Sequence, residues 1–231
     1  MRITDSQWFT LRKLHSLTGV FPVGVFLLEH FFTNSHAVQS GAAFDEAAAF
    51  LAGLPYVVLI EALGIWLPIL FHMVLGIIIA TQGDANVGRY RHARNWQYFL
   101  QRLTGVLLVF FIVYHTWSTR FNDEAMAAPS LFDWMSGHLA HPGVFAFYVV
   151  GVLSACWHFG NGLFGFAIHW GLVTGRRAQR WTARAGVAVF VALALVGLNA
   201  LLAFRGSAVR LFEKGHPASS VAAQQGTGGQ H

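Results

Sequence analysis

The chain has 231 residues, of which 55% are hydrophobic and only 11% charged, where soluble domains run near a quarter charged. Its 21 Phe, 8 Trp and 24 Gly suit membrane helices, in which aromatics anchor at the interfaces and Gly permits close packing, and they exclude an ordinary soluble domain. The formal net charge of +5 is not a nucleic-acid signal, because the basic residues cluster in particular loops; the single cysteine, Cys156, excludes an internal disulfide, and the absence of Cys-x-x-Cys-His excludes a c-type haem attachment.

A bilayer core of about 30 Å needs about 20 apolar residues in a helix. The N-terminal MRITDSQWFTLRKLHS lacks the apolar core and small-residue cleavage site of a signal peptide. Span I is predicted over 14–34 and carries Glu29 and His30 side by side in FPVGVFLLEHFFTN. Span II, 55–81, carries Glu61 and His72; span III, 97–118, carries His115; span IV, 143–172, carries His158. Span V, 183–204, is the plainest and has no histidine. The fold class is therefore all-α: one integral membrane bundle of five transmembrane helices over 1–205, with 206–231, rich in Gly, Ser, Ala and Gln, read as a disordered tail.

Loop charge sets the orientation. With the N-terminus cytoplasmic, the inner segments hold Arg2, Arg12, Lys13, Arg89, Arg91, Arg94, Arg102, Arg176, Arg177, Arg180 and Arg184, and the outer ones Arg120, Arg205, Arg210 and Lys214. Eleven against four places the N-terminus inside and the C-terminus outside.

Of the 12 histidines, eight read as loop, tail or interfacial residues, among them His15, His138 and His169. The four inside spans, His30, His72, His115 and His158, point to function, because ionisable groups at membrane depth are costly. Spans I and III run the same way and both carry LTGV, at Leu17–Val20 and Leu103–Val106. Gly19 precedes His30 by eleven residues and Gly105 precedes His115 by ten, so those two histidines differ in height by only about 1–2 Å. His72 and His158, on spans running the other way, lie nearer the middle and inner half. Two imidazoles from two helices at one depth are what a six-coordinate haem b requires, a ligation suited to electron transfer. A bare zinc site would gather three or four ligands in one cluster. A haem-free proton or metal transporter would use the same residue types and remains an alternative.

RKLHSLTGVFPVGVFLLEHFFTN, LPILFHMVLGI, RNWQYFLQRLTG, VYHTWSTR and YVVGVLSACWHFGNGLFGFAIHWG together resemble the cytochrome b membrane subunit of succinate dehydrogenase and fumarate reductase, in its single-chain, five-helix, two-haem form. The resemblance runs from about Leu11 to Phe204. It implies two haem b groups, with His30 and His115 ligating the one distal to the partner subunits and His72 and His158 the proximal one. It implies a flavoprotein and an iron–sulfur protein docked on the cytoplasmic face of a bacterial cytoplasmic membrane. Dicarboxylate chemistry would then lie on a partner, with this subunit quinone-reactive, and two haems imply menaquinone rather than ubiquinone. Di-haem b subunits of formate dehydrogenase, hydrogenase or nitrate reductase are the nearest alternative.

Glu61 lies about six residues inside the outer end of span II, near the height of the outer histidine pair. In this family a glutamate at the matching place lines a quinone site, and quinone reduction needs protons that a carboxyl can relay. Glu29 points about 100° away from His30 on a helix, toward a haem edge, a water chain or another helix, and is a second catalytic candidate. Ser16, Arg102 and Arg180 are candidates for haem propionates at the inner surface, and His15 for a propionate or a partner contact. Trp96 and Trp170 fit an interfacial aromatic belt.

Overall fold

The computed structural model describes residues 4–210 and is helical throughout its ordered elements. Thr4 opens α1 (Asp5–Val20) through a capping box with Gln7, satisfying two of the first-turn donors that a helix leaves free. The predicted first span is then interrupted. Pro22 has no N–H and its ring excludes the preceding turn, so the Phe21 N–H closes α1 on Leu17 O and α2 (Val23–Ser35) begins afresh. The run from Asp5 to Val38 still has the length and hydropathy of one membrane crossing.

The second crossing, Val57–Ala80, is also irregular. It passes from α4 (Val57–Ile60) through a π-turn, Glu61–Trp66, into α5 (Leu67–Ala80). Such one-turn expansions are frequent at functional sites, and this one begins at Glu61. The remaining crossings are α6 (Ala93–Ser118), α9 (Pro142–His169) and α10 (Arg176–Phe204). The expected five spans are all present; the first begins early, at Asp5, and the last at Arg176, while the other three lie within a few residues of their expected bounds.

Three short helices that hydropathy does not reveal lie in the connections: α3 (Gly41–Ala52), α7 (Asp123–Ala127) and α8 (Leu131–Ala140), capped by Ser40, Asn122 and Ser130. They fold over one end of the bundle. There Phe44, Met135, Leu139, Tyr148, Leu201 and Phe204 form a packed core. Asp45 fastens the cover: its carboxylate accepts from Ser130 Oγ at 2.7 Å and from the Phe132 N–H at 2.9 Å. Among the described residues no such helices cover the opposite end, which carries Arg12, Arg94 and Arg102.

α9 is the central helix, packed on α10, α6 and α1, while α5 lies against α1 and α6. Leu63, Leu67, Leu70 and Val74 of the second crossing are largely exposed, the surface expected where lipid rather than protein is the neighbour. Past Phe204 the chain leaves the helix, and Asn199 holds it by exchanging bonds of 2.8 and 3.0 Å with the Val209 backbone. The rest of the predicted tail, 211–231, lies outside the described residues.

Gly160 and Gly186 set the distance between α9 and α10. A Cβ on either would lie 2.5 Å from the other's carbonyl oxygen, and backbone cannot yield as a flexible side chain does. Gly160→Val is expected to destabilise the bundle by about 1–3 kcal/mol, the usual cost of overpacking. Gly165→Ala, with nothing within 4 Å, should be tolerated and gain helix propensity. Thermal unfolding in detergent of the two variants side by side checks both expectations.

Candidate functional site

A cavity of about 1090 Å³ runs along the bundle between α1, α2, the π-turn, α5, α6 and α9. It is larger than the roughly 300–1,000 Å³ of most single-ligand sites. Arg12, Arg94 and Arg102 line one end and Glu61 and Arg120 the other, and His30, His72, His115 and His158 all face it.

The four histidines meet in two pairs. His72 of α5 and His158 of α9 have ring centroids 6.1 Å apart at an interplanar angle of 86°. His30 of α2 and His115 of α6 are 5.7 Å apart at 74°. A metal–imidazole bond is about 2 Å and the ring centre lies roughly 1 Å behind the nitrogen, so two imidazoles trans across one metal have centroids about 6 Å apart. Both pairs have that separation. Among the described residues no group of three or more His, Cys, Asp or Glu gathers as a bare metal site; each pair offers two imidazoles from two helices, a donor set that would fit a haem iron.

The inner-ring chemistry supports this fit. His72 Nδ1 lies 2.9 Å from His15 O, with Thr18 Oγ1 at 3.5 Å. His158 Nδ1 lies 3.1 Å from Gln101 O, with Thr104 Oγ1 at 3.3 Å. A carbonyl oxygen only accepts, so Nδ1 carries the proton in both rings and the Nε2 lone pair is left for a metal. The two arrangements repeat: both carbonyl bonds span 57 residues and both threonine contacts span 54. Each ring also lies over the glycine of an LTGV segment. A Cβ on Gly19 would meet His72 Cε1 at 2.5 Å, and one on Gly105 would meet His158 Cε1 at 3.0 Å. The α1/α5 and α6/α9 pairs thus present their histidines by one local design. Gln101 adds a second tie, donating from Nε2 to His158 O at 3.0 Å.

At the basic end, Arg12 Nε and Arg102 Nε and Nη1 are buried donors without a partner. Arg102 Nη2 already donates to Ile79 O and Gln82 O, and its guanidinium lies 3.6 Å from the Tyr98 ring centre. Fixed guanidinium donors with unmet capacity fit an anionic group such as a haem propionate. Ser16 lines the same end; its hydroxyl accepts from Trp170 Nε1 at 3.0 Å and donates to Lys13 O. Trp170, expected only as an interfacial aromatic, is thus tied to a residue that lines the cavity.

The structure separates two expected site residues from the cavity. Arg180 is exposed on the first turns of α10 and does not line it. Glu29 turns to its own helix, accepting from Thr33 Oγ1 at 2.6 Å, and does not line it either. His15, expected to face water, instead stacks on His72 with centroids 4.0 Å apart and planes within 12°. Glu61 does line the cavity and is held by Arg120, Nε to Oε1 at 3.2 Å and Nη2 to Oε2 at 2.9 Å. That bond keeps the Arg120 guanidinium protonated even above its usual range.

Thr18, Gln101, Thr104, Tyr148 and Arg120 escape a reading that looks only for titratable groups inside spans. The repeated LTGV held the signal for the two threonines. Gly19→Val is expected to turn the His72 ring and abolish cofactor binding at the His72/His158 pair alone, leaving the His30/His115 pair loaded. Haem counted per chain by pyridine haemochrome, with Gly64→Ala as a control that has nothing within 4 Å, checks this.

Residues 81–199 match the model of a family described as succinate dehydrogenase/fumarate reductase transmembrane subunit. Over 202 residues the chain is 43% identical to the succinate dehydrogenase cytochrome b558 subunit of Bacillus subtilis (strain 168), a match that covers 87% of this chain and 100% of that relative.

Proposed function

The chain belongs to the succinate dehydrogenase/fumarate reductase transmembrane-subunit family, and from that premise we propose that it is the quinone-reactive, electron-transferring anchor of a succinate:quinone oxidoreductase in a bacterial cytoplasmic membrane. The observation that carries the reading is the pairing of four cavity-facing imidazoles at 5.7 and 6.1 Å. Two bis-histidine b haems bound there supply one-electron steps between a flavoprotein/iron–sulfur module and membrane quinone, with menaquinone implied by the family resemblance.

Each residue has a defined task in this account. His72 and His158, their Nδ1–H bonds made to backbone carbonyls, hold the centre nearer the basic end. His30 and His115 hold the centre nearer the capped end. Arg102 and Arg12 neutralise propionates with their unpartnered donors. The basic end, being arginine-rich, faces the cytoplasm and receives the two hydrophilic partners.

Glu61 serves the quinone. Reduction to quinol takes two electrons and two protons, and Glu61 stands at the capped end of the cavity beside the His30/His115 pair. Its carboxylate, aligned by Arg120, takes a proton from the outer surface and gives it to a quinone oxygen. Quinone handled at that end makes electrons cross most of the bilayer from the partners, so turnover couples to the membrane potential at about 2.3 kcal/mol per charge per 100 mV.

Glu61→Gln in the assembled complex tests the assignment. Removing a general acid or base costs about 10²-fold or more, so quinone reduction by succinate should fall by that order. Succinate oxidation with a soluble artificial acceptor and the haem content should stay as in the wild type. Unchanged quinone turnover would remove Glu61 from the mechanism.

A further inference from the structure

Resting on the two-haem reading, the difference between the Nδ1 partners of His72, His158 and His115 is informative. His72 and His158 both bond backbone carbonyls. His115 does not: its Nδ1 lies 3.3 Å from the phenol oxygen of Tyr148. Tyr148, on α9, is only 3% exposed. A hydroxyl buried in an apolar bundle is costly unless bonded, and the Tyr148 oxygen lies within reach of His115 Nδ1 and of the Ser118 hydroxyl. Phenylalanine would fill the same volume against Phe111, so packing does not account for the oxygen.

The surroundings fix the contact. Phe111 stacks on His115 with centroids 5.6 Å apart and planes within 11°, while the Tyr148 ring meets His115 edge-on at 5.7 Å and 75°. The imidazole is thus held on its face by one ring and at its Nδ1 edge by the other. The neighbouring phenol, Tyr114, is turned elsewhere, to His138 Nε2 at 3.3 Å.

We propose that Tyr148 is a positioning residue for His115: its phenol oxygen accepts the Nδ1–H, aims Nε2 into the cavity, and makes the His30/His115 centre tunable by a phenol where both ligands of the other centre bond a backbone carbonyl beside a threonine. Accepting that proton's hydrogen bond raises the basicity of the ligand nitrogen. A more basic ligand favours the oxidised metal, so Tyr148 lowers the potential of this centre alone.

The test is a redox titration of both haems in the assembled complex, for wild type, Tyr148→Phe and Tyr114→Phe. His30→Ala identifies which optical component belongs to the His30/His115 centre. Tyr148→Phe should raise the midpoint potential of that component, or loosen that haem selectively, and leave the other untouched. Tyr114→Phe should move neither. Two retained haems with unmoved potentials, or the same shift from both variants, would overturn the role of Tyr148. If Tyr148→Phe does not assemble, uniform 3-fluorotyrosine labelling weakens the phenol oxygen as an acceptor without removing it. The same selective rise is then expected, and no shift overturns the inference. A wild-type complex without two haems would instead overturn the reading on which it rests, so the two failures are distinguishable.

Discussion

The bond from a histidine Nδ1–H to a carbonyl on a neighbouring helix is the constraint from which the site follows. An imidazole N–H left unpaired at membrane depth is costly, because no water is there to take it. His72 and His158 meet that demand on His15 O and Gln101 O. To reach them the rings must approach the α1 and α6 backbones, and Gly19 and Gly105 are where those backbones lack a Cβ to block them. Helix spacing, tautomer and the direction of Nε2 are therefore set together. The second crossing has few other protein neighbours, which makes this contact with α1 a large part of what holds α5 in place.

The two ends of the bundle differ in a way that divides the work. The basic end is open, with guanidinium donors unpartnered inside it, as suits anionic cofactor groups and docking proteins. The other end is covered by α3 and α8 and fastened by Asp45. The Glu61–Arg120 pair opens onto the cavity there, at the start of the π-turn. A carboxylate in a bidentate grip is pre-aligned, and the extra residue of a π-turn is a means of aiming it that a regular helix lacks.

Much of this was legible in the residue order. Five apolar stretches predict five crossings, and depth counting from Gly19 and Gly105 groups the four histidines into the pairs that the structure brings together. What escaped has physical causes. Hydropathy does not register α3, α7 and α8, whose Ser and Asn caps are the cue. Pro22 splits the first crossing, which a count at uniform rise passes over. Carbonyl bonds leave no mark on residue identity, so Gln101 was unremarkable. Glu29 and Arg180 were suggested by residue type near the right height, but helix phase turns Glu29 toward Thr33 and the early start of α10 puts Arg180 on the surface. Arg120 reads in the sequence as a loop charge, since pairing across 59 residues is a tertiary fact.

The central claim is that each histidine pair grips one iron from both sides. Low-temperature electron paramagnetic resonance of the oxidised complex, with haem quantified per polypeptide, tests it most directly. The account predicts two low-spin ferric bis-imidazole signals and two haems per chain. A high-spin signal, a single haem or none would contradict it.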